Sequence, residues 1–182
     1  MSSASATLEP SASTPRFEDI YARERDYVWR TLRRLGVPDR HLEDVAHDVL
    51  VVVHRKLGDY QASRPLRPWL FGIAFRVASD FRRSAKNARE TPQDDVEGLA
   101  REPEGAGPDA MLESAQRRAL VYRALDTLED DRRAVFVLHE IDGEPIPAVA
   151  EALAIPVNTA YSRLRVAREE FSASVKRLGG AR

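Results

Sequence analysis

Residues 147–171 read PAVAEALAIPVNTAYSRLRVAREEF, two helical stretches around a three-residue break. Pro147 is tolerated at the start of the first, because a first-turn amide has no intrahelical partner to lose. Val149, Ala150 and Leu153 take its inward positions. Ala154-Ile155-Pro156 makes a tight connection, after which Asn158 or Thr159 is expected to cap a second helix running to about Val175. On that helix Ala160, Leu164 and Ala167 recur at three- and four-residue spacing and form the buried stripe. Tyr161, Ser162, Arg163, Arg165 and Arg168 spread over the remaining surface. The spacing predicts a helix-turn-helix, and the side chains suit DNA. Arginine matches guanine edges bidentately, hydroxyls bind phosphate or base, and a helix N-terminus attracts phosphate. An isolated arginine-bearing helix is more often merely solvated; the short helix and turn ahead of this one favour the DNA reading.

Moving upstream, Met111–Leu125 and Asp130–Glu140 read as helices, and Asp142-Gly143 breaks the pattern before the two helices just described. Residues 111–178 are therefore expected to form a small four-helix domain. Before it, residues 90–110 carry Pro92, Gly98, Pro103, Gly105, Gly107 and Pro108 among Glu90, Asp94, Asp95, Glu97, Glu102, Glu104 and Asp109. Such a composition buries too little apolar surface to order itself, so it reads as a flexible acidic linker.

Residues 16–89 show apolar residues at helical spacing, interrupted at Gly36-Val37-Pro38 and around Tyr60 to Pro68, which predicts about three helices. The second, roughly Asp39 to Leu57, puts Val45, Val49, Val52 and Val53 on one face and Asp44, Asp48 and Arg55 on another. Valine also suits strands, but strict alternation is absent, so helix is preferred. The third, from near Pro68, sets Leu70, Ile73, Ala74, Val77 and Phe81 inward and leaves Arg76, Asp80 and Arg83 together outside. With Arg64, Arg67, Arg82, Lys86 and Arg89 they make a basic patch opposed only by Asp80. Trp69 and Phe71 lie beside the apolar stripe and read as core rather than as base-stacking platforms. The fold class is all-α, two small helical domains joined by the linker.

The formal net charge of −1 over 182 residues conceals this segregation of charge. The absence of cysteine removes disulfides and thiolate chemistry and fits a reducing cytosol. Residues 1–15 are rich in Ser, Ala, Thr and Pro and read as a disordered tail without a secretory signal. No run approaches the roughly 18 apolar residues of a membrane span, so no membrane insertion is expected. An enzyme is not favoured. Glu43 and His47 offer two helical metal ligands, too few for a site. His41, His54 and His139 complete no motif, and the adjacent pairs Glu43/Asp44 and Glu169/Glu170 point about 100° apart. No catalytic residue, metal or cofactor is predicted.

Three segments together resemble the extracytoplasmic-function (ECF) group of the sigma-70 family of RNA polymerase sigma factors. Residues 128–171, LEDDRRAVFVLHEIDGEPIPAVAEALAIPVNTAYSRLRVAREEF, resemble region four, with Thr159, Ser162, Arg163, Leu164, Ala167 and Arg168 on the pattern of its recognition helix. Residues 41–57, HLEDVAHDVLVVVHRKL, resemble region 2.2, with Glu43, Asp44 and Asp48 in the acidic pattern. Residues 64–83, RPLRPWLFGIAFRVASDFRR, resemble regions 2.3 and 2.4 through Trp69, Leu70, Ile73, Ala74, Asp80 and Arg83. The chain departs from the common pattern at His47 (usually Gln), Arg76 (Asn), Glu129 (Pro), Ala154 (Gly) and Asn158 (Gly), and has Tyr161 where lysine is frequent.

The resemblance implies a promoter-reading subunit and no enzyme. Glu43, Asp44, His47 and Asp48 would meet the clamp helices of core RNA polymerase. Arg76, Asp80, Arg82, Arg83 and Lys86 would hold the melted minus-ten strand. Thr159, Tyr161, Ser162, Arg163, Arg165 and Arg168 would read the minus-thirty-five element of promoter DNA. It further implies contact with the polymerase flap, an acidic linker that passes through the active-site cleft, and an anti-sigma partner. The rival is a stand-alone helix-turn-helix regulator, which has no need of both an acidic clamp-like helix and a basic strand-binding helix.

Overall fold

The computed structural model describes residues 15–88 and 108–180. The expected tail and most of the expected linker lie outside the described residues. Among the described residues there are seven α-helices and no strand: α1 Phe17–Arg34, α2 Leu42–Lys56, α3 Leu66–Ala88, α4 Pro108–Leu125, α5 Asp130–Phe136, α6 Ile146–Leu153 and α7 Val157–Gly179. The stretch expected as one helix from Asp39 to Leu57 is α2 flanked by single 3-10 turns, Asp39–His41 and Leu57–Asp59. Likewise α5 passes into a π turn, Val137–Ile141, rather than running on as α-helix to Glu140.

In the first half α1, α2 and α3 form a three-helix bundle. Glu18 and Asp19 in the first turn of α1 and Arg33 and Arg34 in its last suit the helix dipole. Its inward residues Ile20, Tyr27, Val28 and Leu32 meet Val45, Val49 and Val53 of α2 and Leu70, Phe71, Ile73 and Ala74 of α3. Val45, Val49 and Val53 are thus buried on a helix, with Val52 partly buried against them, the tertiary contact outweighing their modest helix penalty. Phe71 is fully buried, and Trp69 is half-buried with its ring 4.9 Å from that of Tyr60, as the core reading expected. Pro68 falls in the first turn of α3, where its missing amide costs no hydrogen bond.

Three helix ends use one device. After α1, Gly36 adopts φ +84° while the Val37 amide bonds to Leu32 O at 3.1 Å. After the π turn, Gly143 adopts φ +79° and the Glu144 amide bonds to Leu138 O. After α6, the left-handed position is taken by Ala154 at φ 54°, and the Ile155 amide bonds to Ala150 O at 2.9 Å. These are Schellman closures, which satisfy the last carbonyls of each helix.

The second half packs α5, α6 and α7 around Val135, Leu138, Ile146, Val149, Ala160, Leu164 and Ala167, with α4 along α7. The two halves then pack on each other, their apolar residues forming one continuous cluster. At the closest approach the Gly72 backbone of α3 lies so near the Ala152 carbonyl of α6 that a Cβ would collide with it. Around this contact the links are polar. Asp142 accepts from Arg34 Nη1 and from the Tyr27 hydroxyl, each at 2.8 Å. Arg64 pairs with Glu151 at 2.7 Å, Arg82 with Asp130 at 2.7 Å, and the Arg33 guanidinium lies 4.6 Å from the Tyr122 ring centre.

Candidate nucleic-acid interface

The helix-turn-helix is α6, the Ala154-Ile155-Pro156 turn and α7. Ala160, Leu164 and Ala167 face inward as expected and are buried. The expected cap does not form: α7 begins at Val157, preceded by Pro156 in extended conformation with no side-chain cap, and the Ala160 amide bonds to Pro156 O. Proline fixes φ near its helix-entry value, so the cap falls two to three residues earlier than Asn158 or Thr159 would place it.

Of the predicted readers on α7, Thr159 is half-buried and the other five divide into two sets. Tyr161 and Ser162 are exposed on its first turns, and the Ser162 hydroxyl donates to Thr159 O at 2.9 Å. The arginines each lean on an acid. Arg163 pairs with Asp131 of α5 at 2.5 Å, Arg165 with Glu169 at 2.8 Å, and Arg168 with Glu140 at 2.6 Å. Arg163 therefore ties α7 to α5. Val157, four residues before Tyr161, is also exposed on this face. The four-residue spacing on one helix was the signal that would have found it.

On α3, Arg76, Asp80 and Arg83 are exposed on the outer face, with Arg83 3.5 Å from Asp80. Lys86 is on the same helix, its side chain outside the described residues. Arg82 departs from the expected open basic face. Its side chain is only 17% exposed, wedged between α3 and α5 against Asp130, with Nε and Nη2 buried and unpartnered. Burial lowers its pKa, the Asp130 and Asp126 carboxylates opposing that shift. Arg133, 6% exposed and 3.3 Å from Asp126, is lowered in the same way, and burial pushes Asp126 up. Arg82 and Arg133 thus share a crowded, partly dehydrated cluster between the halves, a costly arrangement for two cations. Sequence separation hides it, since the partners lie about fifty residues apart.

On α2, Glu43, Asp44, His47 and Asp48 are all exposed. They sit as two four-residue pairs on the face opposite Val45, Val49 and Val53, so three carboxylates and an imidazole project together from one helix. Among the described residues no group of histidines and acids suits a metal ion, and no helix is long and apolar enough to cross a membrane.

Comparison with known proteins follows the same division. Residues 20–88 match sigma-70 region 2, and residues 111–171 match sigma-70 region 4. The chain is 27% identical over 150 residues to the ECF RNA polymerase sigma-E factor of Escherichia coli strain K12, covering 78% of each protein. It is 28% identical over 177 residues to the RNA polymerase sigma factor CnrH of Cupriavidus metallidurans, covering 92% of this chain and 91% of that one. The structure of CnrH in complex with the cytosolic domain of CnrY is similar at TM-score 0.58 and 27% identity, covering 86% of this chain and 85% of that one. RpoE of Bartonella quintana, solved with the anti-sigma factor NepR, shares the fold at TM-score 0.67 and 20% identity, covering 88% of this chain and 96% of that one. With both family regions present in order, and relatives that carry them over most of their length, the chain belongs to the sigma-70 family of RNA polymerase sigma factors, in its extracytoplasmic-function group.

Proposed function

We propose that this sigma factor engages core RNA polymerase through α2 and reads two promoter elements with separate halves. Residues 16–89 act as the region 2 domain, residues 111–178 as the region 4 domain, and the acidic stretch 90–110 joins them through the polymerase cleft. Glu43, Asp44, His47 and Asp48 meet the clamp helices. Arg76 and Arg83, with Lys86 and Asp80, hold the opened minus-ten strand, and Arg82 joins them once the halves part. Thr159, Tyr161, Ser162, Arg163, Arg165 and Arg168 sit at the minus-thirty-five element, and the region 4 domain also meets the flap. The chain acts in the cytoplasm and catalyses nothing itself.

The observation that carries this reading is the exposed acidic face of α2, present together with a basic face on α3 and a helix-turn-helix in the other half. A helix that buries four valines or alanines inward and presents four ionisable side chains outward is built to meet a cationic partner. Reading two separated DNA elements requires the halves to part, since in the packed form Arg82 is covered by α5. A protein antagonist that favours the packed form is the expected regulator, and the relatives solved with CnrY and NepR support one.

The test mixes the purified chain with sigma-free core polymerase on a sizing column, beside Asp48→Arg. The wild type is expected to co-elute, and the charge reversal to weaken the complex about tenfold or more. A folded wild-type chain that fails to bind would overturn the proposal.

A further inference from the structure

The exposed surface of α7 has an apolar edge. Only five large hydrophobic residues are exposed among the described residues, and two of them, Val157 at 42% and Tyr161 at 56%, lie four residues apart on the first turns of this helix. They share one helix face, so their side chains form a single patch. The arginines of this helix lie beyond the patch: Arg163 is tied to Asp131 of α5, and Arg165 and Arg168 pair with Glu169 and Glu140. Residues 157–162, its first turns, carry no charged side chain.

We infer that Val157 and Tyr161 form a reader for the C5-methyl group of thymine in the minus-thirty-five element. In a helix-turn-helix the N-terminal residues of the second helix meet base edges in the major groove. The thymine methyl is the one apolar group that an unmodified base displays there, and apolar side chains recognise it by contact. A guanidinium at the same position would select guanine instead. Burying the patch against a methyl removes apolar surface from water on both sides, whereas guanine or adenine would set polar N7 against it unsatisfied. The inference rests on the sigma-factor reading and adds the base chemistry that this chain selects.

The test uses holoenzyme formed from the full chain and core polymerase. Minus-thirty-five duplexes are first selected from a randomised library, and each selected thymine is then replaced singly by deoxyuridine, which lacks only the methyl. The selection is expected to favour thymine at one or two neighbouring positions, and deoxyuridine there to weaken wild-type binding roughly fourfold, the value of one buried methyl. For Val157→Ala or Tyr161→Ala holoenzyme the same replacement should have no effect, while Tyr161→Phe, which keeps the ring, should retain the penalty. Both alanine positions are exposed, and unchanged circular dichroism and thermal unfolding of the variants confirm that they fold. If a minus-thirty-five sequence is selected but deoxyuridine is neutral at every thymine, or the variants keep the penalty, the inference is wrong. If no holoenzyme forms, or none selects a minus-thirty-five sequence, the sigma-factor reading itself has failed.

Discussion

Ala154 holds a left-handed backbone at φ 54°, at the same place in a helix closure where Gly36 and Gly143 stand. A Cβ in that conformation costs roughly 1–2 kcal/mol, while glycine loses part of that advantage through its freer unfolded chain. Ala154→Gly is therefore expected to stabilise the protein by about 0.5–1 kcal/mol in chemical denaturation; a neutral or destabilising result would mean that the turn is held by something other than its backbone. The departure from the family's usual glycine was legible in the sequence, and the structure supplies its cost. The roles of individual arginines were not legible. Arg163 and Arg82 look alike in sequence, yet one bridges α7 to α5 and the other is buried between the halves, because their acids come from distant helices.

At the scale of an element, α2 was the most readable. Val45, Val49 and Val53 at four-residue spacing placed its buried face, and the absence of alternation favoured a helix over a strand. Its ends were less readable, since the 3-10 turns on either side differ from α-helix by a single hydrogen-bond register. The two faces separate stability from function. Val49→Ala empties a fully buried position and should cost about 2 kcal/mol. Asp48→Arg is on the exposed face and should change stability by no more than about 0.5 kcal/mol while weakening polymerase binding. Parallel denaturation and binding measurements check the pair; a strongly destabilised Asp48→Arg would make its binding loss uninformative about contact. In the helix-turn-helix, the inward stripe of α7 was equally plain, but its start was misplaced because Pro156, not a hydroxyl or amide side chain, sets it.

For the whole molecule, the all-α architecture and the order of its helices followed from periodicity, but the packing of one half on the other did not. Its links are long-range and polar, Arg34 and Tyr27 reaching Asp142 across more than a hundred residues. Nothing in local pattern announces them. The halves also share one continuous apolar cluster, so the proposed reading of two promoter elements requires this contact to open, as interfaces between parts of one chain commonly do. Gly72→Ala places a methyl against the Ala152 carbonyl and should open the contact without disturbing either core. Since the chain has no cysteine, Asp59→Cys and Ser172→Cys can carry a dye pair on exposed positions of the two halves. Energy transfer is expected to be high in the parent, to fall as salt screens the ion pairs, and to be low at all salt concentrations with Gly72→Ala. Transfer that ignores both salt and the substitution would contradict a separable contact.

The most direct test of the account is transcription itself. Core polymerase, with and without the chain, would be given a template pool randomised over the two promoter elements, and the 5′ ends of the transcripts sequenced. The account predicts chain-dependent starts downstream of two motifs at fixed spacing; a distribution of starts identical to that of core polymerase alone would contradict it.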